Sequence, residues 1–202
     1  MLDRLALSVL TPGLTRAARG LAGLGVRADQ VTLAGFAIGI AGAGAIVAQQ
    51  FIVALVLVLL SRLFDGLDGA LARLSAPTDR GGFLDISLDF LFYASIPLAF
   101  ALADPAANAR PAAVLLAAFI GTGATFLAFA TLAAQRGIKS VAYPDKGIYY
   151  LGGLTEATET LACFVAMCLW PAYFAVFALG FATLCALTIV MRLWAGWRAL
   201  SD

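Results

Sequence analysis

Four aspartates occupy a stretch otherwise apolar enough to cross a membrane, at spacings that can build a metal site. They lie in Asp65-Gly66-Leu67-Asp68-Gly69-Ala70-Leu71-Ala72-Arg73 and, after a short loop, in Gly81-Gly82-Phe83-Leu84-Asp85-Ile86-Ser87-Leu88-Asp89. A charged carboxylate at mid-membrane costs roughly 2.5–3.5 kcal/mol, so four ionised ones cost on the order of 10–14 kcal/mol. A divalent metal is the simplest offset. Asp65 and Asp68 are three residues apart, and Asp85 and Asp89 are four apart. Each pair therefore shares one face of its helix. The loop from Ser75 to Gly81 is short enough to fold the two helices into an antiparallel hairpin whose carboxylate pairs face each other. Hard oxygen ligands in that arrangement suit Mg²⁺ or Mn²⁺ and a phosphate-bearing substrate. Two such ions would neutralise a diphosphate and stabilise charge developing on a leaving group.

The neighbouring residues fit the same chemistry. Gly66, Gly69, Ala70 and Ala72 keep one helix face slim, so that a nucleotide or a neighbouring backbone can come close. Arg73 follows at the membrane edge, where its planar fork can clamp a phosphate oxygen. Gly81 and Gly82 would let the next helix start tightly beneath the substrate. Arg62, one turn before Asp65, has two readings: a partner for Asp65 or a contact to substrate. The chain contains no histidine, which excludes Ser-His-Asp chemistry, histidine zinc sites and phosphohistidine intermediates. A general base must then be a carboxylate or something less usual. Cys163, Cys168 and Cys185 lie in apolar segments and read as packing residues rather than a disulfide framework.

The elements that must position these residues are membrane helices. Of 202 residues, 62% are hydrophobic and 12% charged, more apolar surface than a soluble domain of this size can hide. Apolar windows recur at about 31–48, 51–74, 83–103, 112–134, 151–170 and 172–193, each close to the length a helix needs to span a bilayer. The expected fold is all-α and polytopic: a single domain over 1–202, with a six-helix core at about 30–193. An N-terminal juxtamembrane amphipathic segment precedes it, carrying Leu5, Leu7, Leu10, Leu14, Ala17, Ala18 and Leu21 on an apolar face broken near Pro12. No cleavable signal peptide is expected at this end. With the N-terminus inside, Arg4, Arg16, Arg19, Arg27, Arg73, Arg80, Arg136, Lys139, Lys146, Arg192 and Arg198 fall on the cytoplasmic side, against Arg110 alone outside. That bias orients the chain and puts the aspartates near the cytoplasmic surface. A net charge of +1 with no basic stripe gives no case for nucleic acid.

The ordered acids resemble the signature of the CDP-alcohol phosphotransferase (CDP-alcohol phosphatidyltransferase) family. Asp65, Asp68, Gly69, Ala72, Arg73, Gly81, Asp85 and Asp89 match every fixed position, with seven residues between Arg73 and Gly81 where eight is commonest. The resemblance is to a less characterised bacterial branch. It implies a CDP-linked lipid donor, commonly CDP-diacylglycerol, a small alcohol acceptor, release of CMP, and a homodimer in the cytoplasmic membrane with its active site on the cytoplasmic side. It further implies that Asp65, Asp68, Asp85 and Asp89 hold two divalent cations and that Asp89 is the general base. Gly69 and Arg73 match positions near the nucleotide and its diphosphate, and Thr32 resembles a nucleotide contact. On this basis direct attack of the acceptor oxygen on the lipid-bearing phosphorus is expected, without a covalent intermediate.

The acceptor should be read by the second half of the chain. Lys139 and Lys146 either meet an acceptor phosphate or serve as positive-inside anchors. Glu156 and Glu159 either bind a polyol or amine-bearing alcohol, or pair with Arg62 or another basic group; the notably acidic pair favours a neutral or amine-bearing acceptor. Phosphatidylglycerophosphate synthesis stays open. An intramembrane prenyltransferase also uses acids and metal, but ordinarily needs two separated aspartate-rich motifs. A cation or proton transporter would not require the ordered Asp-Gly…Ala-Arg pattern, and an inactive scaffold would not require all four acids.

Overall fold

A computed structural model describes residues 2–137 and 153–201, with side chains from residue 11 onward. Among the described residues the chain is entirely helical: α1 (Leu2–Gly23), α2 (Ala28–Val47), α3 (Phe51–Ser75), α4 (Asp79–Ala103), α5 (Pro105–Gln135), α6 (Ala157–Leu169) and, after a 3₁₀ turn at Pro171–Tyr173, α7 (Phe174–Ala199). Helices α2–α7 pack in one sequence of neighbours. α2 lies against α3 and α4, α5 against α4 and α7, and α6 against α3 and α7.

Short connections force the up-and-down path. Ala76, at φ 69°, ends α3 in the left-handed region, and Thr78 starts α4 by accepting a hydrogen bond from the Gly81 amide at 3.1 Å. The hairpin loop is thus Ala76–Thr78, shorter than expected. Gly81 and Gly82 fall inside the first turn of α4 rather than ahead of it, because the Thr78 cap sets the start earlier. At the opposite end Asp104 closes α4 and opens α5, its carboxylate accepting from Ala107 N at 3.1 Å with Pro105 at the first helical position. Gln49, in the α2–α3 turn, donates to the Ala103 carbonyl at 3.2 Å and fixes that end.

The core is aromatic. Phe51, Phe100 and Phe174 stack with centroid separations of 5.9 and 4.5 Å, while Phe92, Phe119 and Phe164 meet edge to face. Around it the outer faces stay apolar, as lipid requires. On α3, Ile52, Val53, Val56, Leu59, Leu60 and Leu63 are exposed, whereas Ala54, Val58, Ser61 and Asp68 are buried. These two sets follow the helical period.

Among the described residues, four of the six expected spans have helices long and apolar enough to cross a membrane: Ala28–Val47, Asp79–Ala103, Pro105–Gln135 and the stretch Pro171–Ala199. α3 differs because Arg62, Asp65 and Asp68 interrupt its apolar run. α6 differs because it begins only at Ala157 and has 13 residues, about 20 Å of helix against a hydrocarbon core of about 30 Å. The N-terminal segment is helical, and part of its expected apolar face packs on the bundle. α1 runs continuously through Pro12, and Leu14, Ala18 and Leu21 pack with Val31, Ala70 and Leu71 of α2 and α3. Gly66 makes room for that crossing, since a Cβ there would meet Leu14 Cδ1 at 3.0 Å.

Candidate active site

The α3–α4 hairpin delivers the acids to one end of the bundle. Asp65 and Asp68 lie on the inward face of α3, and Asp85 comes from the first half of α4. One carboxylate oxygen from each of these three lies within 4.8 Å of the others. Asp68 is 4% exposed, and its Oδ2 has no hydrogen-bond partner. A buried carboxylate oxygen left without a donor is unfavourable unless a cation satisfies it. Mg²⁺ binds oxygens at about 2.0–2.1 Å in octahedral geometry, so the three oxygens need only close modestly around it. An all-oxygen donor set with an orphaned buried oxygen fits Mg²⁺ or Mn²⁺.

Asp89 stands apart from that group. Its Oδ1 accepts from Arg62 Nη1 at 2.6 Å, while the same nitrogen is 3.5 Å from Asp65 Oδ1. The open question about Arg62 is thereby answered in part: it pairs with Asp65, but more closely with Asp89 across the hairpin. Its guanidinium carbon sits 3.9 Å above the Phe92 ring, and Nη2 donates to Ser61 Oγ at 3.3 Å.

Thr32, Gly35, Phe36, Ser61, Arg62, Asp65, Asp68 and Leu88 line one cleft. Thr32 lines this cleft beside the acids, from a different helix. Its hydroxyl donates to the Ala28 carbonyl at 3.1 Å. Gly69 faces the Arg73 guanidinium, whose Nη1 would be 3.5 Å from a Cβ at position 69. Arg73 therefore folds back over Gly69 on the cleft's helix, and it remains exposed. At the mouth, Arg80 Nε is 3.6 Å from Asp29 Oδ2 and ties the start of α4 to the start of α2.

The acceptor candidates fare differently. Lys139 and Lys146 lie outside the described residues. Glu156 is the N-cap of α6, and Glu159 reaches back to accept from the Glu156 amide at 3.1 Å in a capping box. Glu156 also accepts from the Gly153 amide at 3.4 Å. The signal for this role is the Glu-x-x-Glu spacing just after two glycines. Neither glutamate is paired with Arg62 in the contacts observed here.

Sequence reasoning also missed the depth of Arg192, which it took as a cytoplasmic anchor. Arg192 is 7% exposed, donates to the Thr122 carbonyl at 3.0 Å, and would lie 3.4 Å from a Cβ at Gly153. It joins α5, α7 and the segment leading into α6. Thr188 beside it accepts from the amides of Leu154 and Thr155 at 3.2 Å each.

Comparison with known proteins agrees with this geometry. The family model described as CDP-alcohol phosphatidyltransferase matches residues 26–197. The chain is 52% identical over 202 residues to the inner membrane protein YnjF of Escherichia coli strain K12, covering 100% of this chain and 98% of that one. It is 37% identical over 103 residues to an archaetidylinositol phosphate synthase of Pyrococcus horikoshii, covering 50% of this chain and 54% of that one. Among solved structures it is similar to the phosphatidylinositol phosphate synthase PgsA1 of Mycobacterium tuberculosis with CDP-DAG bound, at 26% identity and a TM-score of 0.69, covering 94% and 97% of the two chains. PgsA1 in complex with manganese and citrate is similar at 25% identity and a TM-score of 0.69, covering 94% and 92%.

Proposed function

The chain belongs to the CDP-alcohol phosphatidyltransferase family and is a phosphatidyltransferase enzyme, and on that footing we propose that it moves a phosphatidyl group from CDP-diacylglycerol to the hydroxyl of a small polyol, plain or phosphorylated, releasing CMP. The observation that carries this reading is the oxygen group of Asp65, Asp68 and Asp85 with its orphaned Asp68 Oδ2.

In this mechanism Asp65, Asp68 and Asp85 would hold divalent metal, with Asp89 completing a two-ion set. Bound there, the ions supply polarisation of the donor diphosphate and stabilisation of the departing CMP. Thr32 and Gly69 border the nucleotide, and Gly69, lacking a side chain, leaves space beside the Arg73 guanidinium. Arg73 adds fixed positive charge to the diphosphate. Asp89 takes the acceptor proton, the acceptor oxygen attacks the phosphorus bearing diacylglycerol, and its bond to CMP breaks. Ser61, the serine lining the cleft, already donates to the Gly35 carbonyl at 2.8 Å. Its commitment there supports direct transfer over a serine-linked intermediate.

The capping of α6 by Glu156 and Glu159 gives both carboxylates a structural role, which weighs against an amine-bearing acceptor. Arg192, buried beside Gly153, instead supplies positive charge to the second half of the bundle. Both points favour a polyol or polyol phosphate. Lys139 and Lys146 are retained as candidates for its phosphate. α2–α7 form the membrane bundle, with α3 turning its exposed apolar stripe to lipid. The chain acts as a homodimer in the bacterial inner membrane, its N-terminus and active site on the cytoplasmic side.

The test supplies purified protein in lipid nanodiscs with CDP-diacylglycerol, Mn²⁺ and separate acceptors: glycerol-3-phosphate, serine, inositol, inositol phosphate, ethanolamine and a bacterial lipid extract. Mass spectrometry should find a new lipid with a polyol or its phosphate. Turnover of a prenyl diphosphate, with CDP-diacylglycerol left intact, would overturn the reading.

A further inference from the structure

We propose that Arg62 is a positioning residue that holds Asp89 apart from Asp65, Asp68 and Asp85, so that divalent ions enter the four-aspartate site in two unequal steps. The inference rests on the metal-dependent transferase reading above and deepens it.

Arg62 is locked rather than merely close. Its side chain is 11% exposed. Nη1 bonds Asp89 at 2.6 Å, Nη2 bonds Ser61 Oγ at 3.3 Å, and the guanidinium carbon sits 3.9 Å from the Phe92 ring centroid. Ser61 is itself anchored to the Gly35 carbonyl on α2. Residues from three helices thus set where the cation stands. The carboxylate it engages most closely is the one that does not join the three-oxygen group.

The order of loading follows. A first ion meets Asp65, Asp68 and Asp85, where Asp68 Oδ2 awaits a cation. A second ion needs Asp89 and must displace a guanidinium already joined to it by a charge-assisted hydrogen bond. Arg62 therefore weakens the second site while pairing Asp89 and Asp65 in the metal-free protein. It acts through Asp89.

The experiment titrates Mn²⁺ into the full chain in nanodiscs, with no donor or acceptor present, and counts bound ions by electron paramagnetic resonance. Wild type should bind one ion tightly and a second about tenfold or more weakly, the order of effect expected for one charge-assisted contact. Arg62→Met should tighten the second site about tenfold while moving the first less than about threefold. Arg62→Lys, which keeps the charge, should restore the unequal pattern. The double variant Arg62→Met/Asp89→Asn removes both members of the closest ion pair, so that Asp89 is not left charged without its guanidinium, and it serves should Arg62→Met alone fail to fold. It should keep the first ion and lose the second. Two equal sites in wild type, an Arg62→Met variant that leaves both sites unchanged or weakens both alike, or a double variant that still binds two ions would each overturn the proposal. The readout needs no turnover, so failure of the phosphatidyl-transfer reading shows separately, as absence of CMP release.

Discussion

Asp68 is placed for function against the interest of the metal-free fold. Its buried Oδ2 has no donor, and such a group costs about 1–3 kcal/mol. Asp68→Asn should therefore raise the stability of metal-free protein by about 1 kcal/mol, because a neutral amide is cheaper to bury than a carboxylate. The same change should abolish CMP release, since Asn is a poor ligand for a hard divalent ion. Thermal unfolding in chelator, paired with the turnover assay, checks both halves. Asp89→Asn should behave differently. As the acceptor base it should lower kcat by about 10²–10⁴ while leaving the tight ion on the other three aspartates. Measuring Mn²⁺ binding beside kcat separates the two roles.

At the scale of the helix, the hairpin sets the site, and its two tightest places are testable. Ala76 adopts φ 69° at the end of α3, a conformation that favours glycine. Ala76→Gly should stabilise the protein by about 0.5–1 kcal/mol with activity retained, as read by thermal unfolding. Gly39 lies where α2 crosses the pair, and a Cβ there would come 2.6 Å from Phe92 Cδ2 and 2.7 Å from Ser61 Oγ. Gly39→Ala should destabilise by about 1–3 kcal/mol and reduce turnover, because Phe92 and Ser61 seat Arg62. The hairpin was legible in the sequence because the spacings of Asp65, Asp68, Asp85 and Asp89 report helix faces directly. Arg62's closer partner was not. Periodicity along α3 points to Asp65, whereas Asp89 depends on how α3 and α4 slide against each other. The late start of α6 was hidden for a related reason: Glu156 and Glu159 look like ligands by composition, and become caps once the chain turns at Gly153–Thr155. Arg192 looked like an anchor because its burial depends on Thr122, 70 residues away.

For the molecule as a whole, the outer surface is written for lipid and the inner end for charge. Exposed Trp170 and Tyr173 precede α7, while exposed Trp194 and Trp197 stand near its far end, the places where aromatic belts meet headgroups. Arg27 and Arg80 lie at the hairpin end, and Arg136 donates to the Leu200 carbonyl at 2.8 Å at the matching ends of α5 and α7. An impermeant thiol reagent should label Ala109→Cys from outside intact cells, and Arg80→Cys only after permeabilisation. The reverse pattern would invert the orientation. The central claim is metal-dependent phosphatidyl transfer at the four aspartates. Its most direct test is CMP release from CDP-diacylglycerol by the purified chain across a Mn²⁺ titration, with the accepting alcohol present or omitted and Asp68→Asn as control. The account predicts CMP release that requires both metal and alcohol and vanishes in the variant; release that persists in chelator or in Asp68→Asn, or none from metal-loaded wild type with any acceptor of the panel, would contradict it.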